Sequence, residues 1–143
     1  MASEVATLVD TNVLLDVFSD DPEWAEWSSS ALADAGDAGP LVINPIIYAE
    51  LSVRFDAVEA LDAALSALDV QRDELPYEAA FVAAGAFLEY RRRRGSRTSP
   101  LPDFYIGAHA LQRGYRLLTR DAARYHTYFP ELDVIAPGRP HHR

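Results

Sequence analysis

V-A-T-L-V-D-T-N-V-L-L-D, residues Val5 to Asp16, is the stretch from which the fold can be read. Val5, Ala6, Thr7, Leu8 and Val9 carry no formal charge and do not alternate apolar with polar. That is the pattern of a strand covered on both faces, as in a parallel sheet packed between helices. The run ends on Asp10, and two small polar residues then lead into a second apolar run closed by Asp16. Open parallel sheets keep their sites beyond the carboxyl ends of the strands. Asp10 therefore stands at the edge where such a fold does its chemistry.

Working outward, Asn12 to Phe18 reads as a short helix, and Asp20, Asp21 and Pro22 as a break. Asp21 followed by Pro22 signals a new helix over Glu23 to Ala35, ended by Gly36, Gly39 and Pro40. Leu41 to Ile43 is a second strand, and after Asn44-Pro45 a helix from Ile46 to about Phe55 carries Glu50. Ala57 to Leu68 places Val58, Leu61, Leu65 and Leu68 at three-to-four spacing, the stripe of a helix packed on one face. Val70 marks a third, very short strand. From Pro76 to Arg94, Tyr77, Phe81, Ala84 and Leu88 repeat at helical spacing, and four consecutive Arg precede Gly95. Gly95 to Pro102 is loop-like. Asp103 opens a helix to about Arg113, with Ile106 and Ala110 on one side, and Gly114 stops it. Arg116 to Thr119 is a fourth strand with Asp121 two residues beyond, and Val134 and Ile135 form a fifth, at the edge.

Strands alternating with helices predict an α/β protein of three layers, α/β/α, with a central, mainly parallel sheet of four to five short strands. At 143 residues the length fits one domain, placed at residues 1–136, with residues 137–143 as a loose tail in which His141 and His142 are incidental. A composition of 49% hydrophobic and 24% charged residues is that of a soluble globular protein. No apolar stretch approaches the ~20 residues of a membrane helix, and the N-terminus lacks a basic start before an apolar core. The expected location is the cytoplasm, with no membrane partner. Cys is absent, so disulfides and thiolate metal sites are excluded and any metal must be held by oxygen or imidazole.

The net charge of -9 hides an asymmetry. Residues 1–71 sum to -13, with a single Arg, whereas residues 72–143 sum to +4. A globally acidic protein is a poor prior for nucleic-acid binding, yet a basic C-terminal half can still present a local phosphate-binding face.

Four acids occupy corners of the expected elements. Asp10 ends the first strand, Glu50 lies about one turn into the helix after the second, Asp103 starts the helix feeding the fourth strand, and Asp121 lies just past that strand. All four fall on the carboxyl edge of the sheet, where strands ~4.8 Å apart let side chains converge. Each of Asp10, Asp103 and Asp121 also suits an ordinary helix N-cap, which needs no function. Convergence shifts the balance, because two carboxylates ~4 Å apart repel by roughly 4 kcal/mol at an effective dielectric near 20. A cluster of them calls for protons or a cation. Oxygen donors without Cys suit a hard ion such as Mg²⁺ or Mn²⁺, which lowers the pKa of bound water and holds a phosphodiester for attack.

The residues that carry these acids resemble a known family. V-D-T-N-V-L-L-D at Val9 to Asp16, P-I-I-Y-A-E-L at Pro45 to Leu51, P-D-F-Y-I-G-A-H-A at Pro102 to Ala110 and L-L-T-R-D-A-A-R-Y at Leu117 to Tyr125 resemble the PIN domain. More closely, they resemble the VapC-type ribonuclease toxins of toxin-antitoxin pairs. The resemblance implies a Mg²⁺- or Mn²⁺-dependent endoribonuclease, usually a homodimer, restrained by a small VapB-type antitoxin. It implies Asp10, Glu50, Asp103 and Asp121 as the metal-binding and catalytic acids. Thr11 and Asn12 match the small polar residues after the first acid, and Thr119 the hydroxyl before the last. A haloacid dehalogenase-type phosphatase would want a second Asp where Asn12 stands, and a response-regulator receiver wants a Lys, of which this chain has none. The competing reading is a PIN-like module that binds RNA or protein without cutting.

Arg91, Arg92, Arg93, Arg94 and Arg97 admit two readings: a solvated helix end favoured by the helix dipole, or a groove for the RNA backbone leading to Asp103. Trp24 and Trp27, three apart, read as core rather than as an exposed patch for an antitoxin segment. Asp16 is either a supporting acid behind Asp10 or polar cover. His109 is expected to point away from the acids and to be structural.

Overall fold

The computed structural model describes residues 4–93 and 101–138. The strands are β1 (Thr7–Val9), β2 (Leu41–Ile43), β3 (Val70–Arg72), β4 (Arg116–Leu118) and β5 (Val134–Ile135). They form one sheet in the order β3-β2-β1-β4-β5, and every pairing is parallel. β1 lies at the centre with Leu8 opposite Val42 on one side and Leu117 on the other. All three residues of β1 are buried, as are those of β2, which is what a strand flanked on both edges and covered on both faces requires. Because the strands are parallel, all their carboxyl ends point to one edge.

The helices among the described residues are α1 (Thr11–Phe18), α2 (Ala25–Ala38), α3 (Pro45–Ser52), α4 (Val58–Ala67), α5 (Tyr77–Arg92), α6 (Leu101–Arg113) and α7 (Ala123–Tyr128). They cover the sheet to give the three-layer α/β/α arrangement expected from the sequence. Several boundaries differ from the sequence expectation for local reasons. Asp21 accepts the backbone N–H groups of Glu23 and Trp24, so that turn precedes α2 instead of belonging to it. α2 runs through Gly36 and stops at Gly39, where a Cβ would lie 2.4 Å from the Val5 carbonyl oxygen. α6 begins at Leu101, which places Asp103 inside the first turn, and β4 ends at Leu118, one residue before Thr119.

Two elements depart further. α7 has no range in the sequence reading, which offered only Asp121 as a cap; the N-cap is Ala122, with no side-chain cap hydrogen bond. α5 forms where expected, but its regular stripe faces out: Tyr77 is 94% exposed, Phe81 84% and Leu88 53%. The buried side is Ala79, Ala83 and Tyr90. Small residues let α5 lie close along α6, while Tyr90 joins an aromatic group with Phe87, Phe104 and Tyr128. In α4, Leu61 and Leu65 are buried as the stripe requires, but Val58 is exposed and Leu68 half-buried.

The entry to α3 is fixed by a buried polar chain. Asn44 caps the helix by accepting the Ile47 N–H at 3.0 Å, so its amide nitrogen is the donor toward His109 Nδ1 at 3.0 Å. His109 Nε2 therefore carries the proton and donates to Asp73 at 3.2 Å, an oxygen that also accepts the Tyr115 hydroxyl at 2.6 Å. His109 is fully buried, burial holds its pKa below the usual imidazole value, and it is structural as expected.

Candidate active site

Asp10 leaves β1 in an extended conformation and caps α1, its Oδ1 accepting the Thr11 N–H at 2.8 Å. Its backbone N–H continues the β1–β4 ladder by donating to the Leu118 carbonyl at 2.9 Å. The other oxygen, Oδ2, accepts the hydroxyls of Thr119 at 2.9 Å and Tyr125 at 3.1 Å. Only 6% of Asp10 is exposed. Burial pushes its pKa up to about 6; Asp103 adds to the rise, and the donors Thr119, Thr11 and Tyr125 oppose it. The cap the sequence offered Asp10 is realised, and the same side chain lines a cleft at the carboxyl edge of the sheet.

Thr119 is the junction of this edge. Its hydroxyl donates to Asp10 and accepts from Asn12 Nδ2 at 3.3 Å and from the Asp121 N–H at 3.1 Å, which uses its whole hydrogen-bonding capacity. Asn12 in turn accepts the Arg120 N–H at 3.2 Å. The turn after β4 is thus tied to the first turn of α1, and Asp121 is carried on it. On the other side, the Thr11 hydroxyl donates to Glu50 Oε1 at 2.5 Å and links α1 to α3.

Asp103, half-buried in the first turn of α6, accepts Arg124 Nη1 at 2.6 Å. Burial raises the Asp103 pKa despite that guanidinium, and Asp121 adds to the effect. Asp10, Glu50, Asp103 and Asp121 line one open cleft of about 430 Å³, together with Thr11, Asn12 and Tyr125. The Tyr125 hydroxyl is held well above its ordinary pKa by burial, then by the charges of Asp10 and Asp103, with Glu50 contributing. A larger hollow of about 780 Å³ lies against Pro45, Tyr48, Ala49 and Ser52 on α3, whereas Glu50 and Val53 belong to the acid-lined cleft. Several of its polar groups are already engaged: Tyr48 and Arg72 both bind Asp62, and Asp73 binds Tyr115.

Among the described residues no three acids or imidazoles are grouped closely enough to cage a metal ion. Three of the acids instead rest on protein donors: Glu50 on Thr11, Asp10 on Thr119 and Tyr125, and Asp103 on Arg124. The donor set still fits a divalent ion of the Mg²⁺ kind. All its ligating atoms are oxygen, two of its carboxyls are pushed toward the neutral form, and such an ion keeps several waters and binds directly through only one or two carboxylates.

Asp16 is a buried acid in a specific pairing. It accepts Ser28 at 2.7 Å and takes Arg120 in a bidentate pair at 2.7 and 3.0 Å, with the guanidinium over Trp24. That pair braces α1 against the turn bearing Thr119 and Asp121. Trp24 and Trp27 are both half-buried, edge to face, with Trp27 packed on the core. At the end of α5, Arg92 and Arg93 bind Glu89, and Arg91 lies over Phe87. Arg94 and Arg97 lie outside the described residues. The sequence reading did not single out Tyr125, Arg124 or Arg120, although all three lie within its L-L-T-R-D-A-A-R-Y segment.

No curated protein sequence matches the chain significantly. Solved structures do resemble it. VapBC2 from Rickettsia felis, bound to a DNA fragment from its promoter, aligns at 15% identity over 92% of this chain and 98% of that one, with a TM-score of 0.71. A toxin-antitoxin complex from Klebsiella pneumoniae aligns at 25% identity over 90% and 95%, with a TM-score of 0.64. VapBC-1 from nontypeable Haemophilus influenzae gives 17%, 92%, 98% and 0.70. The sequence profile of the PIN domain matches residues 7–130. The chain belongs to the PIN domain family.

Proposed function

We propose that the protein is the toxin of a toxin-antitoxin pair, an endoribonuclease that uses Mg²⁺ or Mn²⁺ to hydrolyse RNA phosphodiester bonds in the cytoplasm. The observation that carries this reading is the meeting of Asp10, Glu50, Asp103 and Asp121 in one cleft, with Asp10 buried at its floor. Of those four carboxylates one or two are proposed as direct ligands, Asp10 among them, and the others would reach the ion through its bound waters. A divalent ion bound there supplies an activated water and offsets charge on the phosphodiester. The chain's own residues prepare the place. Thr119 and Tyr125 orient Asp10 through one oxygen, Thr11 orients Glu50, and Arg124 neutralises Asp103.

Asp10 must be ionised to accept a cation, and its pKa of about 6 makes metal affinity and cleavage fall as pH drops through that value. Support for an antitoxin partner comes from the likeness to the Klebsiella pneumoniae toxin-antitoxin complex, at 25% identity across 90% of the chain. Self-association is proposed through the exposed row of Tyr77, Phe81 and Leu88 on α5, and the arginines at the end of that helix are proposed to draw RNA toward the cleft.

The test is cleavage of RNA by the purified protein with Mg²⁺ or Mn²⁺, beside Asp10→Asn and a chelator control. Cleavage lost in both controls, by at least about 100-fold for Asp10→Asn, supports the reading. RNA binding without cleavage in the wild type would favour the non-cutting module, and equal cleavage by both proteins would remove Asp10 from the site.

A further inference from the structure

We propose that Arg54 binds a backbone phosphate of the RNA strand at the rim of the acidic cleft. The inference rests on the nuclease reading above and adds a residue to it. Arg54 is the only Arg in residues 1–71, a segment of net charge -13. It lines the same cleft as the four acids. The other cations near these acids are committed: Arg120 is held by Asp16, and Arg124 by Asp103. The Arg54 guanidinium makes no hydrogen bond or ion pair with another described residue, and the residue is exposed.

Helical spacing alone would have offered it a partner. Glu50 stands four residues earlier, a favourable arrangement on a helix. Two features undo that pairing. α3 ends at Ser52, so Arg54 leaves on the turn beyond it, and Glu50 is drawn off by the Thr11 hydroxyl.

The turn itself is built to hold a position. The Arg54 N–H donates to the Leu51 carbonyl at 2.9 Å and the Phe55 N–H to the Ser52 carbonyl at 3.2 Å. Phe55 then packs edge to face on Phe18 of α1, ring centres 5.7 Å apart. The backbone that carries Arg54 is therefore anchored to the helix that Asp10 caps, while its side chain is left unpaired.

A strand of RNA entering this cleft meets four carboxylates that repel it. A guanidinium offers a planar fork matched to two phosphate oxygens and keeps its charge at any working pH. On Arg54 it would hold the strand at the cleft that the acids line, and bind ground and transition states alike. That predicts a binding effect more than a rate effect.

The experiment compares wild type, Arg54→Gln and Arg54→Lys in cleavage of a single-stranded RNA with Mn²⁺. It also compares Asp10→Asn with Asp10→Asn/Arg54→Gln in fluorescence-anisotropy binding of the same RNA over a salt series. Expected are a KM raised about tenfold in Arg54→Gln with kcat within about twofold, partial recovery in Arg54→Lys, and a salt slope shallower by about 0.7, the loss of one phosphate contact. Unchanged KM and unchanged slope overturn the assignment of Arg54 while leaving the nuclease reading in place. A wild type that binds but never cuts, with the slope still reduced by Arg54→Gln, overturns the nuclease reading and keeps Arg54 as a phosphate contact.

Discussion

Asp10 gives both carboxylate oxygens to neighbours, yet burial still leaves its pKa near 6. The folded protein thus holds this acid in a state it resists. In the unfolded chain the group titrates near its ordinary value of 3.8. Its stabilising contribution is complete below that value, is lost as pH rises through about 6, and amounts to roughly 3 kcal/mol between the two limits. Asp103 shifts in the same direction and deepens the trend. Without divalent metal, wild type should therefore lose about 1–3 kcal/mol more stability than Asp10→Asn between pH 4 and pH 7 in denaturant unfolding, a comparison in which the pH-independent cost of the amide cancels. Equal losses in the two proteins would show that Asp10 is not strained by burial. Mg²⁺ or Mn²⁺ should narrow the gap by stabilising only the wild type, since a ligand of the folded state raises its stability by mass action.

The element that sets how closely Asp103 and Tyr125 approach is α6 against the end of α7. A Cβ on Gly107 would lie 2.6 Å from the ring of Phe129, which is 3% exposed and follows α7 directly. Gly107→Ala should push that ring outward at a cost of about 1–3 kcal/mol in equilibrium unfolding, the usual range for overpacking a core. A midpoint equal to wild type would mean the ring moves freely. The strands and their acids were legible because their signal is local: an unbroken apolar run followed by Asp or by Asn-Pro. α7 was not, since six residues span fewer than two turns and give periodicity nothing to repeat. The outward row of α5 was misleading for a related reason. Periodicity identifies a face of a helix but not which face meets the protein, and here Ala79 and Ala83 fit against α6 better than Tyr77 and Phe81 would. The roles of Tyr125 and Arg124 depend on partners 115 and 21 residues away in sequence, which no local pattern encodes.

At the scale of the whole molecule, α5 leaves a question of assembly. Lone exposed apolar side chains are ordinary, but Tyr77, Phe81 and Leu88 stand in one row on one helix, beside a hollow of about 550 Å³ lined by Ala80, Ala84, Phe87 and Leu101. Two copies of this helix laid antiparallel would bring the Glu78 end of one to the Arg91 and Arg92 end of the other. Opposite charges and opposed helix dipoles would then meet, with each Phe81 ring facing Leu88 of the other copy. Phe81→Glu places a charge in that seam. The residue is 84% exposed, so the substitution should leave monomer stability within about 0.5 kcal/mol of wild type. Light scattering after size exclusion should give a dimer for wild type and a monomer for Phe81→Glu, with unfolding midpoints compared at equal protein concentration. A dimer that survives the charge places the interface elsewhere, and a wild type that is monomeric at tens of micromolar frees the row for the proposed antitoxin instead.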